Sequence, residues 1–182
     1  MVVQGDETHF SNVYDDDARA LAYAALDFPG TYFLAYRDLP AIIAEHVIGH
    51  EALDFGCGAG WSTRFLKQLL GPGGRIILLG STPDIYMNEW ASFTTRDFPD
   101  NRDAKSGDPV RIVMQDVPDR RPVVDLIWFH EDYLALFAAA ELQLVAQFTP
   151  LGRPDDGQSW ISETAIAPWV INVLRDSQSM TR

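Results

Sequence analysis

Leu53-Asp54-Phe55-Gly56-Cys57-Gly58-Ala59-Gly60-Trp61-Ser62-Thr63 is the stretch on which the reading of this chain turns. A short apolar run, Ala52 to Phe55, leads into Gly56, Gly58 and Gly60, and from Trp61 to Leu70 apolar residues recur at helical spacing. The pattern predicts a strand, a glycine loop and a helix. Such a loop lets a ligand approach the backbone where side chains would block it. The free N–H groups and the positive end of the following helix face the same space. Dinucleotide-binding loops read Gly-x-Gly-x-x-Gly and need a glycine at position 61, where this chain has Trp61, so a nicotinamide oxidoreductase is a weak reading.

An acidic residue, one spacer and then Gly-x-Gly-x-Gly resembles the first motif of the Rossmann-like (class I) S-adenosylmethionine-dependent methyltransferases. The resemblance implies that the loop wraps the methionine end of the cofactor, with Asp54 holding its ammonium group and Gly56, Cys57, Gly58 and Gly60 lining the approach. Cys57 has no cation nearby in sequence to lower its pKa, which argues against a reactive thiol. Trp61 either plugs the core or crowds the cofactor.

The resemblance extends outward in both directions. Gly30-Thr31-Tyr32 through Tyr36-Arg37-Asp38-Leu39-Pro40 resembles the N-terminal helical cap of small-molecule methyltransferases, which implies Tyr32 and Arg37 as cofactor-binding candidates, with Tyr36 behind them. Tyrosines at helical spacing also pack with their hydroxyls at a rim, and that alternative stays open. Downstream, Leu70-Gly71-Pro72-Gly73-Gly74-Arg75-Ile76-Ile77 resembles the lead into the fifth strand of a methyltransferase sheet, although it directly follows the glycine-loop helix. The fold this implies is α/β: a Rossmann-like methyltransferase sheet reduced in strand number, with parallel strands, C-terminal antiparallel strands and an N-terminal helical cap. One domain spans 1–182, with the cap at 1–50, the glycine-loop core at 51–80 and the C-terminal strands and helix at 81–182. Two or more strand-helix units, from the second to the fourth strand, are missing between Leu70 and Gly73.

Those units carry the ribose and adenine contacts in that family. Asp84 is the only acid near the end of the next strand, so it is either a surrogate ribose ligand or a helix cap, and Ser81-Thr82-Pro83-Asp84 favours the cap. Losing strands also leaves the first strand with an unpaired edge. Two outcomes are expected: a homodimer, with or without exchanged elements, or a fifth strand moved into the vacant fourth position.

The remaining elements follow from local pattern. Asp15-Asp16-Asp17 precedes an apolar stripe at Ala18, Leu21, Ala22 and Ala25, which predicts an acid-capped helix rather than a metal site. Helices are expected from Thr31 to Asp38 and from Pro40 to Val47, the latter ending near His46 and His50. Arg75 to Gly80 is apolar throughout and bounded by turn signals, the signature of a buried parallel strand. Asp97 to Asp108 reads as a charged surface loop, and Asp116 to Pro122 as a turn joining Val110 to Met114 with Val123 to Phe129 in a hairpin. A helix is expected from Glu131 to Leu142, followed by antiparallel strands at Leu144 to Phe148 and Trp169 to Leu174. His130, at the strand-to-helix junction, is a weak candidate for a catalytic base; as structure, His130-Glu131-Asp132 caps the next helix, and that reading is favoured.

Composition sets outer bounds. With 182 residues, 47% hydrophobic, the chain suits one domain with a sizeable core. The formal charge of −12 argues against a nucleic-acid backbone as partner, and no apolar run reaches the roughly 20 residues that span a bilayer, so a cytoplasmic, soluble protein with a small-molecule substrate is expected. One cysteine and no Cys/His cluster point to neither an internal disulfide nor a metal site. The expected function is methyl transfer from S-adenosylmethionine to a small acceptor. The alternative is a non-catalytic methyltransferase-like remnant that works as a binding or oligomerisation module.

Overall fold

The computed structural model describes residues 16–24, 30–48 and 74–177. Among them, three strands form the main sheet: β1 (Ile76–Ser81), β5 (Leu142–Phe148) and β6 (Trp169–Asp176), in the order β1-β6-β5. Both ladders are antiparallel, running from Ile76 opposite Leu174 to Ser81 opposite Trp169, and from Leu142 opposite Asp176 to Phe148 opposite Ile171. The second ladder shifts register between Leu144 and Ala146, which leaves Val145 as the extra residue of a bulge.

β6 is central because both of its faces are apolar. Ile171, Val173 and Leu174 are fully buried and Asn172 nearly so. Ile171 and Val173 pack with Ile42 of helix α3 (Leu39–His46), while Leu174 packs with Phe137 and Ala140 at the end of helix α4 (His130–Ala139). The sheet is thus a layer between two helices. The buried Asn172 amide oxygen accepts a hydrogen bond from Gln147 at 2.8 Å, so its polarity is met within the sheet.

A second sheet lies beside the first, in the order β2 (Phe93–Thr94), β3 (Pro109–Met114) and β4 (Val123–Leu126), again antiparallel. The expected hairpin between β3 and β4 is present. Its core is Tyr32, Ile85, Tyr86, Trp90, Phe93, Val110 and Ile112, with Trp169 packed against it from the main sheet.

The Rossmann-like sheet is therefore corrected: among the described residues every ladder is antiparallel, and no parallel pairing occurs. The physical reason lies in β1. Its residues alternate between the two cores, Ile76 and Leu78 toward α4, Ile77 and Leu79 toward α3, as a two-faced strand should. Two-faced burial says that helices cover both sides; it does not fix strand direction. The expected antiparallel pairing of the two terminal strands does occur, as β5 with β6. The strand, glycine loop and helix expected over 51–70 fall outside the described residues.

The N-terminal helices match their expected places. In α1 (Asp17–Ala24) the Asp16 carboxylate accepts the Ala18 N–H at 3.0 Å, the capping role anticipated for the acidic triplet. Asp16 also pairs with Arg121, and Arg19 with Asp119, so α1 is held to the β3–β4 turn. The helix expected from Thr31 appears as α2 (Thr31–Arg37), and α3 has Pro40 in its first turn.

Glu163 fastens α2 to the rest. Its carboxylate is fully buried; one oxygen accepts the Thr31 hydroxyl at 2.6 Å and the Ala91 N–H at 2.8 Å, the other the Ile161 N–H at 2.8 Å. Thr31 and Ser92 exchange two further bonds at 3.0 Å, each hydroxyl accepting from the other's N–H. Gly30 makes this approach possible. Its φ is +55°, and a Cβ there would stand 2.5 Å from the Ser92 hydroxyl oxygen. Glu163→Ala is expected to lower unfolding stability by about 2 kcal/mol, because it orphans the buried Thr31 hydroxyl and two partly buried N–H donors at once. Urea unfolding checks this, and an unchanged midpoint would show that water satisfies those donors.

Candidate functional site

The residues singled out by sequence divide into two groups. Asp54, Gly56, Cys57, Gly58 and Gly60 lie outside the described residues, as does His50. Tyr32, Arg37, Tyr36, Asp84 and His130 lie within them, and the structure sends each to its own place.

Tyr32 points into the second core. It is 6% exposed, with its ring centroid 4.9 Å from Phe93 edge-on and 6.2 Å from Trp169 in a stack. The packing alternative left open for the cap tyrosines therefore describes Tyr32, whereas Tyr36 is 48% exposed. Arg37 leaves the same helix in another direction. Its Nε and one Nη donate to both oxygens of Asp38 at 2.9 and 2.8 Å, and the other Nη donates to Asp156 at 2.8 Å. The Asp38 bond comes first in raising the guanidinium pKa, and reciprocally Asp38 is lowered by Arg37. Three of the five guanidinium N–H donors are thus in use inside the protein.

His130 is exposed at the start of α4. The acid two residues on does the capping: the Asp132 carboxylate accepts the Phe129 N–H at 2.9 Å and a short bond from the Ser106 hydroxyl. Asp84 stands exposed in a single 3-10 turn, Pro83–Tyr86, rather than at the start of an α-helix.

Sequence reasoning missed a different pair. Tyr86, 7% exposed, donates its phenolic hydrogen to Asp125 at 3.0 Å. The Ser81 hydroxyl also bonds the phenol, and Tyr133 lies close enough to act on it electrostatically. The cluster forms where β1 ends, against the middle of β4. Burial pushes the Asp125 carboxyl above the usual carboxylate range, opposed by the Tyr86 bond. Burial, followed by the Asp125 charge, pushes the Tyr86 phenol well above its usual value, so the phenol keeps its proton at neutral pH and can only donate to the carboxylate.

A half-buried carboxyl of raised pKa that accepts from a phenol, itself bonded by a serine, is the kind of group that can exchange a proton. Its signal was in the strand itself. In β4 the outward positions are apolar, Val124 and Leu126 at 50% and 45% exposure, while Asp125 takes an inward register beside Val123 and Ile127. An acid on the inward side of an apolar alternation is the readable feature.

Among the described residues no group of three His, Cys, Asp or Glu side chains is placed to hold a metal, and no helix is long and apolar enough to cross a membrane. No protein-family model, curated protein or solved structure matches this chain.

Asp125→Asn tests the buried carboxyl. Its ordinary value is 3.8 and its folded value is higher, so its favourable contribution is complete below 3.8 and is lost as pH rises through the folded pKa. The variant should therefore gain stability relative to the native chain between about pH 4 and pH 8. Urea unfolding of both proteins across that range reads the difference; a gap independent of pH would show that Asp125 ionises as it does in the unfolded chain.

Proposed function

We propose that this chain binds S-adenosylmethionine on the Asp54-to-Gly60 loop and passes its methyl group to a small-molecule acceptor. The observation that carries the reading is the spacing Asp54-x-Gly56-x-Gly58-x-Gly60, followed by Trp61 where a dinucleotide loop needs glycine. The glycines open the backbone to close approach, and the Asp54 carboxylate matches an ammonium group. When bound, the cofactor supplies a methyl already activated on a sulfonium. The chain's own work is then to orient the acceptor and keep water out.

The described residues add no cofactor ligand. Tyr32 is packed between Phe93 and Trp169, and Arg37 is held by Asp38 and Asp156, so neither fits the role of a waiting cofactor ligand as it stands. The reading therefore rests on the loop. A non-catalytic binding or oligomerisation module is the second reading. The antiparallel ladders favour it, because strand-helix units with parallel pairing normally carry the ribose and adenine contacts.

Calorimetric titration with S-adenosylmethionine and S-adenosylhomocysteine, with the mass of the same sample measured by light scattering, decides between them. Micromolar binding that is abolished in Gly58→Val, whose side chain obstructs the backbone approach, is the expected result. Affinity retained in that variant would sink the loop assignment, and no binding at millimolar ligand would leave the non-catalytic module.

A further inference from the structure

A half-open cleft of about 390 Å³ lies between the 3-10 turn Pro83–Tyr86 and a second one, Pro99–Asp103. Its volume falls within the range that takes small molecules, roughly 300–1,000 Å³. Met87, Phe98 and Pro99 give it an apolar wall; Glu89, Arg96 and Arg102 give it charge.

The charges are not equally available. One Glu89 oxygen accepts the Thr95 N–H at 2.9 Å, and the other accepts the Thr94 hydroxyl at 2.8 Å and faces Arg96 at 3.6 Å. The one acid in the cleft is thereby answered on both oxygens. Arg102 is different. Among the described residues its guanidinium makes a single hydrogen bond, a long one of 3.3 Å to the Met87 carbonyl, and no carboxylate pairs with it. Four N–H donors of its five remain for a ligand.

The turn that carries Arg102 is rigid. Its neighbour Asn101 is 4% exposed, donates to the Tyr86 and Arg111 carbonyls at 2.8 Å each, and accepts the Arg111 N–H at 3.0 Å. Arg111 in turn lies 4.7 Å over the Phe98 ring. The backbone that bears Arg102 is thus held, and the aromatic wall lies under Arg111, so that mainly the Arg102 side chain has to be ordered when a ligand arrives.

We propose that this cleft binds a small molecule bearing one carboxylate or phosphate group on an apolar body, the anion against Arg102 and the body against Met87, Phe98 and Pro99. The residues argued for this site lie outside the glycine-loop sequence, and the proposal does not depend on methyl transfer.

Phenyl phosphate, benzoate and benzyl alcohol, titrated into the full chain and followed by amide NMR shifts, are the probes. Saturable shifts at Met87 to Phe98 are expected for at least one anion, with benzyl alcohol at least about tenfold weaker. The tighter of the two anions identifies phosphate or carboxylate as the natural group. Arg102→Gln should weaken the anion about tenfold or more, and Arg102→Lys, which keeps the charge without the fork, should fall between. Because Arg102 is exposed, the variants should unfold at the native temperature, which a melting curve confirms before the titration. No saturable shift from either anion at about 20 mM overturns the site, as does equal binding of benzyl alcohol or undiminished binding by Arg102→Gln.

Discussion

The two-sided burial of β6 is the constraint on which the main sheet depends. Ile171, Val173 and Leu174 have no solvent contact and their side chains leave the strand on both faces. Each such side chain gains roughly 1.5–3 kcal/mol from leaving water, but only if something apolar lies over it. α3 supplies the cover on one face through Ile42, and α4 supplies it on the other through Phe137 and Ala140. The strand's own edges are taken by β1 and β5. Removing either helix would expose half of the sheet, so the N-terminal and C-terminal helices are required by the same strand.

Trp169 of the main sheet packs on Tyr32 and Phe93 of the second core, and polar groups fasten the segments around it. Glu163, Thr31, Ser92 and the Ala91 backbone meet in a buried knot whose members are up to 132 positions apart. Close by, the Trp169 indole donates to the Thr31 carbonyl at 2.7 Å, so the first residue of β6 holds the first residue of α2. A buried carboxylate accepting three donors is satisfied, and for that reason the segments that bear the donors are fixed relative to each other. The knot leaves Tyr32 no direction but inward, between Phe93 and Trp169.

What was legible in the chain was local. The acid cap of α1, the restart at Pro40, the β3–β4 hairpin and the acid-led start of α4 all depend on residues close together in sequence, and each stands near its expected place. What was not legible was pairing at distance. β1 was apolar on both faces, as a parallel strand would be, and its direction was set instead by β6, almost a hundred residues away. Arg37 was a cofactor-binding candidate by resemblance alone, and its pairing with Asp156, 119 positions off, could not be read. Phe93–Thr94 lay in a stretch that carried no strand signal, being only two residues long. Asp125 was visible as a charge in an apolar alternation, but its partner Tyr86 was not.

Strand direction also bears on where chemistry can gather. In a parallel sheet all C-terminal ends share one edge, and ligands collect there. In this antiparallel sheet the ends are divided: β1 finishes at Ser81 and β5 at Phe148, near the start of β6 at Trp169, while β6 finishes beside Ile76. The first of these edges is the populated one. Ser81 reaches the Tyr86–Asp125 pair, and Trp169 reaches the carbonyl of Thr31. The opposite edge carries Arg75, Gln143 and Arg175, with Gln143 bonded to Arg175 at the surface.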